Sequence, residues 1–316
     1  MPNVKANGIT IEYEEFGERN GRPLLLIMGL GAQMILWHEE FCEQLAARGH
    51  RVIRFDNRDV GKSSWFGHLG VPDVMAALEA ALARQPTDAP YLIRDMAADA
   101  ASLLGALHID KAHIVGASMG GMIAQGVAIH FPARVLSLTS IMSTTGNPDL
   151  PPPQPEAMSV ILSPQPTNRA ESIERGVAMF RTIGSPGFPF DEAFIRERAA
   201  LSWDRGFNPN GLARQLVAIL ASGSRKEALP AVRVPALVIH GKDDPLVPFA
   251  AGEDTAAAIP GAELLAIDGM GHDLPRPLWP RFVDAISALT ARANARNPHP
   301  NDPGAGVPSR RVGGSA

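Results

Sequence analysis

Short unbroken apolar runs alternate with longer stretches in which apolar residues recur every three or four positions. Pro23-Leu24-Leu25-Leu26-Ile27-Met28 has no polar residue to put toward water, the pattern of a strand buried on both faces of a parallel sheet. Residues 51–56, 112–115 and 135–140 read as further strands. Between them, residues 37–48, closed by Gly49, predict a helix. Residues 92–107 predict another, with Met96, Ala100, Leu103 and Leu104 on one face. Residues 73–84, bounded by Pro72 and Pro86, predict a helical insertion. At the start, Ile9, Ile11 and Tyr13 alternate after Asn7-Gly8, so residues 4–17 predict a hairpin. Strand, turn, helix and strand joined by short connections make α/β layering.

After the strand at 135–140 the period changes. Residues 147–155 are proline-rich, and helical periodicity follows over 156–162, 169–183, 191–203 and 211–222. Gly184-Ser185-Pro186-Gly187 and Asn208-Pro209-Asn210-Gly211 punctuate it. Residues 143–230 therefore read as a helical cap inserted into a core formed by 1–142 and 231–292. The sheet pattern returns at 236–240, introduced by Pro235, and at 261–267. Residues 279–292 close the core as a helix with Phe282, Val283, Ile286 and Leu289 on one stripe. From 293 to 316 almost nothing is apolar, and a disordered tail is expected. No internal repeat is visible.

Composition narrows the class. A 316-residue chain that is 45% hydrophobic can bury a large core, and a formal charge of −4 gives no reason to expect nucleic acid or an anionic membrane as partner. Cys42, the single cysteine, excludes an intramolecular disulfide, and its apolar helical surroundings predict a packed thiol. The N-terminus lacks a signal-peptide run and no segment suits a bilayer, so a cytoplasmic protein is expected. No ligand cluster has zinc or calcium spacing, and neither metal nor cofactor is implied. Oligomeric state is not legible.

The chemistry centres on Gly116-Ala117-Ser118-Met119-Gly120, set between the strand at 112–115 and a segment of helical composition. G-x-S-x-G between a strand and a helix is a nucleophile elbow: the turn is so tight that only glycine fits at 116 and 120, and the Ser118 hydroxyl projects above the sheet end. The amide of Met119, at the helix start, would face a developing oxyanion, with a second donor from Gly29-Leu30-Gly31, where Leu30 is the expected residue. Gly61-Lys62-Ser63 invites a phosphate-loop reading, but the first glycine of that motif would fall on Asp56.

A serine hydroxyl needs a base in hydrogen-bond reach. Partners of an elbow serine follow in the order acid, then histidine, and two downstream loops begin at strand ends, as sites in parallel sheets do. His272 follows Gly271 in the later loop and is the expected general base. The earlier loop supplies Asp243 and Asp244. Neighbouring side chains point to different sides, so one of the two can face His272; Asp244, pinned by the following Pro245, is favoured, with Asp243 its rival. His240 is expected to pack or hydrogen-bond locally, Asp268 and Asp273 to be turn and rim residues, and His38, His50, His68 and His299 to be ordinary. Met34, Trp37, Phe188 and Trp203 are candidates for an apolar pocket, as is Met119. Met158, Ile161, Phe180, Phe190 and Phe194 are available to roof it.

Taken with Met28-Gly29-Leu30-Gly31, the 55–63 turn, Gly241-Lys242-Asp243-Asp244-Pro245 and Gly269-Met270-Gly271-His272, the chain resembles the α/β-hydrolase superfamily over about residues 3–292. Within it, the resemblance is to aclacinomycin methylesterase-like bacterial carboxylesterases. Met28 departs from the pattern, since many relatives have histidine there. The resemblance implies the α/β-hydrolase fold: a mostly parallel sheet with helices on both faces and an inserted helical cap. It also supports Ser118, Asp244 and His272 as a triad.

The expected activity is hydrolysis of small to medium uncharged or aromatic carboxylic esters through an acyl-enzyme, with a small-molecule ester as substrate and neither nucleic acid nor membrane as partner. A lipase, lactonase, perhydrolase, C–C bond hydrolase or iminopeptidase would share the triad. A small-molecule receptor on the same fold is the alternative from another class, and rapid multiple turnover separates it from an enzyme.

Overall fold

In the computed structural model, which describes residues 1–296, the Asn7-Gly8 pair turns the chain with both residues at positive φ, 49° and 77°. Such a turn matches the twist of the strands it joins. It pairs β1 (Asn3–Ala6) antiparallel with β2 (Ile9–Phe16). Among the described residues the sheet has eight strands. The others are β3 (Arg22–Ile27), β4 (His50–Phe55), β5 (Ala112–Ala117), β6 (Val135–Ile141), β7 (Ala236–Gly241) and β8 (Glu263–Ile267). Their spatial order is β1-β2-β4-β3-β5-β6-β7-β8, and every pairing beyond β4 is parallel.

The apolar runs have the physical cause expected of them. Leu25 and Ile27 point into a core with Ile53, Phe55 and Ile114, closed by α3 (Ile93–Ala106) and α4 (Met119–His130). Leu24 and Leu26 point the other way, to Val52, Val115 and Ile239, beneath α1 (Glu39–Ala47) and α10 (Trp279–Arg296). Successive side chains of a strand go to opposite faces, so a strand covered on both must be apolar throughout. Cys42 is a buried thiol in the second core, and burial pushes its pKa up to about 12.

Three elements differ from the sequence reading. The helix expected over 37–48 starts at Glu39, because the His38 ring caps it by accepting from Glu40 N–H at 3.1 Å. A helix not anticipated, α9 (Phe249–Ala258), packs on β7. A Cβ on its Gly252 would stand 2.6 Å from the His240 ring, so the glycine permits the close packing. The closing helix continues past residue 292 to Arg296, with Ala293 and Asn294 buried. The rest of the expected disordered tail, His299 included, lies outside the described residues.

Between β6 and β7 come α5 (Pro155–Ile161), α6 (Arg169–Ile183), α7 (Glu192–Arg205) and α8 (Gly211–Ser222). Helices α6 and α7 pack side by side, and Arg169 grips Asp204 with two bonds of 2.9 and 3.0 Å. Helix α8 packs on α3 and on the insertion helix α2 (Val74–Leu82), which Asp73 caps. The turn after β4 receives ion pairs from this segment: Arg205 to Asp56 at 3.0 Å, and Arg214 to Asp59. No helix among the described residues is long and apolar enough to cross a membrane.

Candidate active site

Ser118 stands between β5 and α4 with φ 56° and ψ −122°, a strained conformation for a residue with a side chain. Two close approaches hold it there. A Cβ on Gly116 would lie 2.0 Å from Gly120 O, and one on Gly120 would lie 2.0 Å from Ile27 O. The Ser118 amide donates to Ile141 O at 2.9 Å, tying the elbow to the next strand.

The structure brings Ser118, His272 and Asp244 together from three strand ends. His272 Nε2 is 2.9 Å from Ser118 Oγ, and His272 Nδ1 is 2.7 Å from Asp244 Oδ2. The arrangement satisfies both contacts when Nδ1–H donates to Asp244 and Nε2 accepts from the serine. Asp244 Oδ1 accepts from Leu246 N–H at 2.9 Å and Val247 N–H at 2.8 Å, so the local turn aims the carboxylate. The rival Asp243 faces the other way and accepts from Gly269 N–H at 2.7 Å. His240 lies beneath with no exposure, its Nε2 2.8 Å from Val247 O. Burial holds its pKa below the usual imidazole value.

The Met28–Gly31 loop runs against Ser118; a Cβ on Gly29 would be 3.1 Å from that of the serine. Two side chains pin this loop. Asn57 Nδ2 donates to Met28 O at 2.9 Å, and Gly31 N–H donates to Gln215 Oε1 at 2.8 Å. The Gly31 amide is thus occupied, which directs attention to the Leu30 amide. On the other side Met119 is the first residue of α4, where helix amides have no intrahelical acceptor. The reading of the sequence missed Gln215, because nothing in its local pattern separates it from an ordinary helical glutamine; its burial shows only in the fold.

Asp268 is the exposed turn residue expected and pairs with Lys242 at 2.8 Å. Asp273 is more than a rim residue: it is partly buried and accepts from Ser185 Oγ. Burial pushes its carboxyl above the ordinary range, and the Ser185 bonds offset part of that.

A cavity of about 1940 Å³ opens over Ser118 and His272. Leu30, Met122, Phe188, Phe194 and Leu212 are in its wall, as are Met158, Ile161, Phe180 and Phe190. Met34 and Trp37 are corrections to the expected lining. Both are fully buried; Trp37 stacks on Phe41 in the core below α1, with centroids 5.6 Å apart. The Met119 side chain is likewise core. Trp203 stands stacked on Phe207 at 4.8 Å, and it is Phe207 that reaches the cavity. Composition identified these residues as apolar without distinguishing a wall from the layer behind it. Arg175 also lines the cavity; burial lowers its pKa, and it donates to Ser163 Oγ at 3.2 Å. Among the described residues no group of three His, Cys, Asp or Glu side chains is gathered as a metal ion would require.

Residues 22–275 match the family described as alpha/beta hydrolase fold. The rhodomycin D methylesterase of Streptomyces peucetius is 32% identical over 306 residues, covering 90% of this chain and 96% of that protein. The enzyme of the same description from Streptomyces sp. strain C5 is 32% identical over 310 residues, covering 92% and 98%. Among solved structures, the enol-lactonase of Burkholderia xenovorans LB400 superposes with a TM-score of 0.70 at 21% identity, covering 92% of this chain and all of that one, a likeness of fold.

Proposed function

The chain belongs to the α/β-hydrolase fold family and is a carboxylic ester hydrolase, and we propose that it works through an acyl-enzyme on Ser118. Ser118 Oγ attacks the ester carbonyl while His272 Nε2 takes its proton. The amides of Leu30 and Met119 hold the oxyanion of the tetrahedral intermediate. His272 then gives the proton to the departing alcohol, and Asp244 orients the imidazole and balances its charge. Water, deprotonated by the same histidine, attacks the acyl-enzyme and frees the acid. The observation that carries this reading is the unbroken relay from Ser118 Oγ through His272 to Asp244, with links of 2.9 and 2.7 Å.

The substrate reading joins two supports. The relatives' names specify a methyl ester, hence a small leaving alcohol. A cavity of about 1940 Å³ exceeds the roughly 300–1,000 Å³ of common ligand pockets. The bulk then belongs to the acyl side, and the apolar wall favours an uncharged or aromatic acid. In this reading α5 to α8 form a cap, inserted over about 143–230, that sizes that acid. Nucleic acid and membrane are not partners in it, and a reducing compartment, the cytoplasm, suits the one buried thiol.

The test is steady-state hydrolysis of p-nitrophenyl esters of increasing chain length, and of methyl esters of acetic, naphthoic and succinic acids, by wild type and Ser118→Ala. Multiple turnover by the wild type, silence of Ser118→Ala and preference for the methyl naphthoate are expected. Full activity in Ser118→Ala removes the acyl-enzyme reading, and preference for the succinate removes the substrate reading.

A further inference from the structure

His272 lies in a loop, residues 268–273, whose Gly269 and Gly271 confer backbone freedom. A base held at 2.9 Å from its serine needs that freedom removed. The first half of the loop is fixed from the sheet side: Asp243 accepts from Gly269 N–H, and Met270 O accepts from Asp243 N–H at 3.1 Å. The second half is fixed from the opposite side by the connection between α6 and α7. His272 N–H donates to Ile183 O at 2.7 Å, and Gly271 N–H donates to Ser185 Oγ at 2.9 Å. Ser185 Oγ–H in turn donates to Asp273 Oδ1. A fourth bond, Gly187 N–H to Gly269 O at 2.9 Å, closes the seam.

The seam leaves no room for slack. A Cβ on Gly271 would stand 2.3 Å from Gly184 O, and one on Gly187 would stand 2.6 Å from the Gly269 Cα. Ser185 joins it through its side chain, and one oxygen serves both Gly271, before the base, and Asp273, after it. Geometry of this kind, a side chain locked by partners on either flank of a reacting residue, is what keeps a constellation at its working distance.

We propose that Ser185 and Asp273 are positioning residues that set His272 against Ser118, so that the α6–α7 connection is a structural part of the general base. The proposal rests on the reading of His272 as that base. It assigns the 183–187 segment a role in the chemical step, beyond roofing the cavity.

The experiment compares Ser185→Ala, Ser185→Thr, Asp273→Ala and the double Ala variant with wild type. It measures kcat and KM on p-nitrophenyl butyrate, the rate of covalent labelling of Ser118 by a fluorophosphonate, and Tm. Ser185→Ala and Asp273→Ala are each expected to lower kcat and the labelling rate about tenfold or more, as a misplaced base does. Both residues border the cavity, but their hydroxyl and carboxylate are engaged with each other and with Gly271, so KM should stay within about twofold. The double variant should be no slower than the worse single, and Ser185→Thr, which restores a hydroxyl, should recover most of the loss. Wild-type kcat in Ser185→Ala and Asp273→Ala, or losses that fall on KM, overturn the proposal while the esterase reading stands. So does a Thr variant as slow as Ala with Tm lowered in parallel. A wild type that neither turns over the ester nor labels at Ser118 overturns both.

Discussion

Arg214 holds Asp59 with both arms of its guanidinium, Nε to Oδ2 at 2.8 Å and Nη2 to Oδ1 at 2.7 Å, and neither side chain is more than 1% exposed. Tyr91 Oη donates to the same carboxylate at 2.8 Å, as does Phe66 N–H at 2.8 Å. The pair fastens α8, the last α-helix before β7, to the turn that follows β4. Removing one partner leaves the other charge buried and uncompensated, so Arg214→Ala or Asp59→Ala should cost about 3–5 kcal/mol of stability. Urea unfolding followed by circular dichroism checks this; a loss below about 1 kcal/mol, the scale of an exposed pair, contradicts it.

Asp244 and Asp243 are adjacent but face different partners. With His272 Nδ1 on Asp244 Oδ2, Asp244→Asn should favour the wrong tautomer and lower kcat about 10³–10⁴-fold while the fold persists. Asp243→Asn keeps an acceptor for Gly269 N–H and should remain near wild type. Parallel kcat measurements decide it, and equal losses in the two variants exclude the assignment.

His50 has no exposure, and burial, then the nearby Arg22 charge, lower its pKa from 6.5 to about 4. A depressed histidine binds its proton more readily when unfolded. Its contribution is therefore present above pH 6.5 and is lost as pH falls toward 4. From pH 7 to 4.5 the loss from this group is about 2 kcal/mol. His50→Gln should shrink the drop in unfolding free energy between those two pH values by that amount, measured from paired urea titrations. An unchanged drop rules the linkage out.

Gln215 joins two loops, accepting from Gly31 N–H and donating to Arg58 O, each at 2.8 Å. Gln215→Ala frees the loop that carries Leu30 and should lower kcat about tenfold, with a smaller change in KM. Gln215→Glu, which retains the acceptor for Gly31, should be less damaging. If Gln215→Ala leaves kcat intact, the Leu30 amide is not held through α8.

Much of this molecule is legible in local sequence because its signals are local. The run from Pro23 to Met28 is apolar at every position since β3 is covered on both faces. Gly116 and Gly120 mark the elbow, since a Cβ at either would meet backbone at 2.0 Å. The helices of 155–222 follow their 3.6-residue period. Where the reading faltered, short-range pattern and long-range packing disagree: Gly252 breaks a helix in isolation but fits α9 against His240, and Met34, Trp37 and Trp203 share their composition with true cavity residues.

The sequence by itself determined the order of the strands and of the helices other than α9, the elbow around Ser118 and the two loops in which its partners had to lie, because period and turn chemistry act between near neighbours. Only the tertiary structure decided which carboxylate of Asp243 and Asp244 turns to His272. It alone revealed that Ser185 is seated against Gly271, 86 residues away, and Gln215 against Gly31, 184 residues away. Those contacts are made by polar side chains ordinary in their local surroundings. Their meaning arises when packing removes water and leaves each buried donor one acceptor within reach.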